Sequence, residues 1–237
     1  MPWKDRCFVS EIVGSSAIAD FVRQSDSGSR QVNYCDGQTI FEPGDRATDF
    51  FVAETGEIRL FEVAPHGDRR LLDIMGSGRC FGFASLGNIP LYQNLAISVG
   101  NSSAWVIAAD RLREIILGHG ELALQFVESM TRQLQEAWNE GSHFVFEDCR
   151  LRLIKTLLRF KDTPAARAVP GGIELRMTHA QLAQAVGVAR ETISLCLTQL
   201  RRESLVQTRR NRVLYDPNRL QQLNPLPEFT PKLAIAS

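Results

Sequence analysis

The side chains best equipped for chemistry lie late in the chain, where Arg190, Glu191, Thr192, Ser194 and Leu195 share one short stretch and Arg209, Arg210 and Arg212 follow. No nucleophile is paired with a base, and neither a phosphate loop nor metal-ligand spacing occurs, so catalysis has no candidate residues. The chemistry on offer is recognition. An arginine can grip the O6 and N7 acceptors of guanine, a glutamate can accept from the amino group of cytosine, and a leucine can touch the methyl of thymine. The later arginines suit phosphates, which fix register and supply salt-dependent affinity without reading sequence.

These residues need elements to present them. Thr178-His179-Ala180-Gln181 fits a capping box, so a helix is predicted to start there with Leu182, Ala183 and Val186 on its apolar face. Gly187 supplies a turn, and after Val188 a second helix buries Ile193, Leu197 and Leu200 at helical spacing. This is helix-turn-helix spacing. It leaves Arg190, Glu191, Thr192 and Ser194 on the first turn of the second helix, the part of a recognition helix that meets base edges in the major groove. Thr178 and His179, at the start of the first helix, join the candidate DNA-contact set. Leu205 to Thr208, a turn at Arg209-Arg210-Asn211, and Arg212 to Tyr215 read as a β-hairpin wing with cationic residues at its tip. Upstream, Cys149 to Phe160 is predicted helical with Leu151, Ile154, Leu157 and Leu158 on one face, and Pro164 to Gly172 is expected to be a loop.

The formal net charge of zero conceals a separation. Residues 1–149 hold 12 Lys/Arg against 21 Asp/Glu, a net of −9, whereas residues 150–212 hold 13 Lys/Arg against four acids, a net of +9. The basic segment is suited to a polyanion. No stretch approaches the apolar length of a membrane span, and the acidic residues between Met1 and Asp20 do not suit a signal peptide, so a cytoplasmic address and no membrane partner are expected. The five cysteines are scattered without a CxxC pair, which points to reduced thiols.

Between Gln38 and Ala108, short apolar runs punctuated by glycine predict strands near Thr39–Phe41, Phe50–Ala53, Ile58–Val63, Arg70–Met75 and Leu95–Val106. From Asp110 the period becomes helical, and Ala123, Val127, Met130, Leu134, Ala137 and Gly141 form a seam read as a dimer axis, with a helix that packs this stripe on its own domain as the alternative.

Taken together, these features resemble the CRP/FNR family of regulators over about residues 38–215. Val-Gly-Val-Ala-Arg-Glu-Thr-Ile-Ser at 186–194 is similar to the family's recognition motif almost position by position. Ile40-Phe41-Glu42-Pro43-Gly44-Asp45 and Gly56-Glu57-Ile58-Arg59-Leu60 are similar to its β-roll signature. The resemblance implies an α+β chain with an N-terminal, jelly-roll-like β-roll sensor domain (1–109), a long dimerisation helix and hinge (110–147), a C-terminal winged helix-turn-helix (148–225) and a tail (226–237). It further implies a homodimer on a two-fold-related double-stranded DNA site, a hinge near Phe146–Asp148 that answers an effector, and RNA polymerase as a candidate partner.

The chain departs from the family in two places. Leu195 stands where many members carry a second arginine, so the half-site should differ from the family's at that base pair. Cyclic-nucleotide binders of the family show Gly-Glu-Leu and then Arg-Ser/Thr-Ala; here the matching stretches are Phe81-Gly82-Phe83-Ala84 and Asn94-Leu95-Ala96. The carboxylate and the phosphate-binding arginine are missing, and Trp138 falls where relatives place small hydroxyl residues. Phe81, Gly82, Phe83, Ala84, Leu95, Ala96 and Trp138 therefore outline an effector pocket not suited to cAMP. An iron–sulfur cluster is not expected, since Cys7 and Cys35 are too far apart, nor is haem, since Ala84 occupies the family's β-roll histidine position even though Pro2 could become a free N-terminal proline. His66, His119, His143 and His179 have no metal-site spacing. Cys196, inside the second helix, reads as a small apolar filler, with a redox or modification switch as the alternative.

The reading is thus of a dimeric, sequence-specific DNA-binding transcription regulator with no identified cofactor and no enzyme activity. The alternative is a cyclic-nucleotide-type module regulating a partner protein, against which the basic winged segment argues. Whether an effector gates the protein, or abundance alone controls it, stays open at this level.

Overall fold

The computed structural model describes residues 17–24, 27–128, 130–131 and 148–223. The chain divides into two compact units, Met1–Phe146 with Asp162–Ala165, and Glu147–Lys161 with Ala166–Ser237.

The first unit contains α1 (Ala17–Val22), β1 (Arg30–Tyr34), β2 (Thr39–Phe41), β3 (Asp49–Val63), β4 (Arg69–Met75), β5 (Cys80–Phe81), β6 (Leu95–Ala108) and α2 (Ala109–Gly118). A further helix, α3, is described over 120–128 and 130–131. The strands form an antiparallel sheet in the order β1-β6-β3-β4, with β2 added on β6 and β5 on β3. Side chains alternate across a strand, and the Phe50–Ala53 run is apolar at every position because both faces are covered. Phe51 and Ala53 join Phe41, Phe81, Tyr92 and Val106 in one core, while Phe50 and Val52 join Ile18 and Val22 of α1 and Leu112 and Ile115 of α2 in another.

The runs expected as separate strands, Phe50–Ala53 and Ile58–Val63, are one 15-residue strand, β3. Gly56, read as punctuation, does not turn the chain; the register against β6 shifts between Ala53 and Thr55 and again between Thr55 and Glu57, so irregular pairing absorbs it. β1, β5 and α1 carried no periodic signal and were not anticipated. Ala123, Val127 and Met130 of the expected seam lie on α3, with Val127 exposed. Leu134, Ala137, Gly141, Trp138 and most of the expected hinge fall outside the described residues.

The second unit contains α4 (Cys149–Arg159), β7 (Ala166–Val169), β8 (Gly172–Leu175), α5 (His179–Val186), α6 (Arg190–Arg202), β9 (Val206–Arg209), β10 (Arg212–Tyr215) and α7 (Pro217–Gln222). Leu153, Ile154 and Leu157 of α4, Leu182 and Val186 of α5, and Ile193, Leu197 and Leu200 of α6 are buried together with Val206, Val213 and Tyr215 of the wing. The segment Pro164 to Gly172, expected as a loop, contains β7, and the wing is therefore the outer half of a four-stranded sheet, β7-β8-β10-β9. The glycine pair misled: Gly171 follows Pro170 in the tight turn of the β7–β8 hairpin and Gly172 opens β8, with φ of 93° and 139°. A Cβ on Gly172 would stand 2.1 Å from the carbonyl oxygen of Tyr215, so the backbones of β8 and the β10 end approach as only glycine permits. The Tyr215 hydroxyl donates to the Leu157 carbonyl oxygen (2.5 Å, buried), pinning the wing to α4.

Candidate nucleic-acid interface

The capping box at the head of α5 is formed. Gln181 N–H donates to the Thr178 hydroxyl at 3.1 Å, and Thr178 N–H donates to Gln181 Oε1 at 2.8 Å. Gly187 ends the helix in the left-handed conformation, φ 74°, with its N–H and that of Val188 both donating to the Ala183 carbonyl. α6 then begins after Ala189, which has no side chain able to cap it. The opening amides of α6, at the positive end of its dipole, thus lack a side-chain acceptor, an arrangement favourable to an anion.

Burial of Ile193, Leu197 and Leu200 sets the rotation of α6, and the opposite face carries Arg190, Glu191 and Leu195, the last 73% exposed. Thr192 and Ser194 are half-buried. The Ser194 hydroxyl donates to the Arg190 carbonyl (3.0 Å) and lies 2.9 Å from His179 Nδ1. With its proton committed, Ser194 Oγ is the acceptor for Nδ1–H, so the pair braces α5 against α6. Thr178, held by its cap, and Ser194, held by two bonds, therefore position the surface, while Arg190, Glu191 and Leu195 are its outward groups.

At the wing, the side chains of Arg209 and Arg210 are exposed and have no hydrogen-bond or ion-pair partner among the described residues, and the side chain of Arg190 shares that condition. Asn211 makes the turn in the left-handed region (φ 59°), a conformation asparagine tolerates better than most residues. Arg212 differs: its Nη1 donates to Glu174 Oε1 on β8 at 3.0 Å. Sequence reading missed this partner because Glu174 sat next to the segment expected to be a loop. A part-exposed pair of this kind contributes little to stability, but it orients the guanidinium beside the turn of the hairpin.

Of the residues outlined as an effector pocket, Phe81, Ala84 and Ala96 pack in one core and Phe83 packs against the other, while Trp138 lies outside the described residues. Phe81 stacks on Phe51 at 4.9 Å, and Phe41 stacks on Tyr92 at 3.9 Å, in a core that also takes in Ala96 and the half-buried Ala84. Burial pushes the Tyr92 phenol up to about 12, and its hydroxyl donates to the Asp49 carbonyl. Gly82 adopts φ 81°, and a Cβ there would stand 2.8 Å from the Phe51 ring. Phe83 faces the other core, edge-on to Phe50 at 5.2 Å and near Phe126 of α3. Leu95 is buried in β6, opposite Phe61 of β3. Among the described residues no three His, Cys, Asp or Glu side chains are grouped as a metal would require.

A sheet-built sensor unit and a winged helix-turn-helix unit define the class of protein, and comparison with known proteins gives the family. Residues 31–119 match the cyclic nucleotide-binding domain family, and residues 151–223 match the Crp-like helix-turn-helix domain family. The chain is 29% identical over 199 residues to a CRP-like cAMP-activated global transcriptional regulator of Mycobacterium tuberculosis, covering 81% of this chain and 84% of that protein. It is 24% identical to the cAMP-activated global transcriptional regulator CRP of Haemophilus influenzae, covering 71% and 75%. A CRP/FNR-family transcriptional regulator from Thermus thermophilus shares the fold with a TM-score of 0.69 at 24% identity, covering 82% of this chain and 97% of that one. The c-di-GMP-responsive regulator CLP of Xanthomonas campestris does so with a TM-score of 0.70 at 20% identity, covering 85% and 98%. The chain belongs to the CRP/FNR family of DNA-binding transcription regulators. No helix among the described residues is long and apolar enough to cross a membrane.

Proposed function

We propose that the chain acts as a homodimeric, sequence-specific regulator that reads double-stranded DNA with the first turn of α6 and grips phosphates with the wing, without depending on cAMP. The carrying observation is the α6 surface. Arg190, Glu191 and Leu195 face outward from a helix whose other side is locked into the core, and Arg209 and Arg210 stand unpaired on the wing. Donor, acceptor and apolar groups in one turn supply what base-edge discrimination needs, and the free guanidinium groups supply the salt-dependent term. Exposed Leu124 and Val127 on α3 support association of two copies, with RNA polymerase as a further partner of the assembled complex.

Relatives described as cAMP-activated make that nucleotide the first effector to consider. Two features speak against it. Phe81 to Ala84 offers no carboxylate to a ribose, and Asn94, which carries no charge, stands where a buried phosphate would need a cation. The stacked rings of Phe41, Phe51, Phe81 and Tyr92 further favour a packed core over a nucleotide site. Neither haem nor an iron–sulfur cluster is part of this reading.

Selection of bound sequences from a random duplex pool tests it, using purified full-length protein without effector. Enrichment of an inverted repeat with half-sites about one helical turn apart is expected, unchanged in affinity when cAMP is added. Weak, steeply salt-dependent binding without an enriched sequence overturns the effector-independent reading, and a large cAMP-induced gain overturns the nucleotide part alone.

A further inference from the structure

Two thiols meet inside the DNA-binding unit. Cys149 is the first residue of α4, immediately after the capping Asp148, and Cys196 lies in α6 directly after the exposed Leu195. They are 47 residues apart in sequence, yet the Cys196 thiol donates to Cys149 Sγ at 3.3 Å. Both are free and only partly buried. Scattered spacing had made Cys196 look like an isolated filler; helix packing gives it a partner, and a disulfide requires the sulfurs to close from here to about 2.05 Å.

We propose that Cys149 and Cys196 form a reversible intramolecular disulfide that ties the start of the DNA-binding unit to its recognition helix and weakens specific DNA binding. This second clause rests on the function proposed above. Closing the sulfurs draws the α4 and α6 backbones together at Cys196. Ile193, Leu197 and Leu200 hold α6 in a close-packed core, so the displacement passes to its neighbours Ser194 and Leu195 on the reading side.

The oxidant is a low-molecular-weight disulfide of the glutathione type. Burial, followed by the hydrogen bond and proximity of Cys196, raises the Cys149 thiol above the ordinary range; in the proposed order Cys196 attacks first. The Cys196 thiolate attacks one sulfur of the small disulfide, whose S–S bond breaks, and one small thiol leaves with the proton Cys196 released. Cys149 then gives up its proton and attacks Cys196 Sγ. The protein S–S bond forms, the mixed S–S bond breaks, and the second small thiol leaves carrying that proton. Two protein thiols are oxidised and one small disulfide is reduced. Since each attack needs a thiolate, disulfide formation accelerates as pH rises through the neutral range.

The test treats full-length protein with oxidised glutathione, then takes a non-reducing peptide mass map and measures affinity for the selected DNA site. A linked peptide pair containing Cys149 and Cys196 is expected, forming faster at higher pH and released by dithiothreitol. Specific affinity is expected to fall at least several-fold and to recover on reduction, while the double variant Cys149→Ser with Cys196→Ser, treated identically, keeps its affinity. Absence of the linked pair, or its formation only between two chains, overturns the proposal. A linked pair with unchanged affinity overturns the regulatory half. If the reduced protein selects no DNA site, the proposed function fails on that result, whereas the peptide map still decides the covalent pairing.

Discussion

The two sheets of this molecule use their side chains in opposite ways. In the first unit Phe81, Leu95 and Ala96, within the two stretches that match the family's nucleotide-binding segments, are buried, and the aromatic rings near Phe81 stack on one another. In the second unit the apolar groups of α6 and the wing go to the core, leaving the side chains of Arg190, Arg209 and Arg210 exposed with no partner among the described residues. The charge follows the same division, net −9 up to residue 149 and net +9 across residues 150–212. The contrast teaches that one unit spends its aromatic side chains on packing while the other leaves cationic side chains exposed.

The sharpest way to break this comparison is Phe81→Ala. Removing a fully buried stacked ring should destabilise the first unit by about 3–5 kcal/mol, seen as an early transition in thermal melting, with DNA affinity below that transition unchanged. Little loss of stability, or a new response to an added nucleotide at no stability cost, would show that the ring lines a site instead of filling a core. Arg190→Ala should cost ~1–3 kcal/mol on the selected site and relax discrimination at one base pair, with random DNA bound as before; equal losses on both would remove Arg190 from the base-reading role. The smallest effect belongs to Arg210→Ala, which should weaken all sequences alike and lower the salt slope of binding by about 1. An unchanged slope would take the wing tip away from the phosphates.

Much of the reading surface was legible beforehand because it is local. The Thr178–Gln181 box, Gly187, and the spacing of Ile193, Leu197 and Leu200 each act within a few residues, so helix start, turn and helix phase can be read directly. Base-facing and bracing residues were not separable in that way. The bond between Ser194 and His179 joins α5 to α6, and the pairing of Arg212 with Glu174 needs a strand that the Gly171-Gly172 pair disguised as loop.

The sequence by itself determined the helix-turn-helix, the cationic wing and the separation of charge, since all of these are properties of residue type and short spacing. Only the tertiary structure decided that β3 runs unbroken through Gly56, that Phe81 and Phe83 belong to different cores, and that Cys149 meets Cys196. Those outcomes depend on which distant segments pair, and a sheet register or a helix crossing is set by the burial of the whole core rather than by any neighbouring residue.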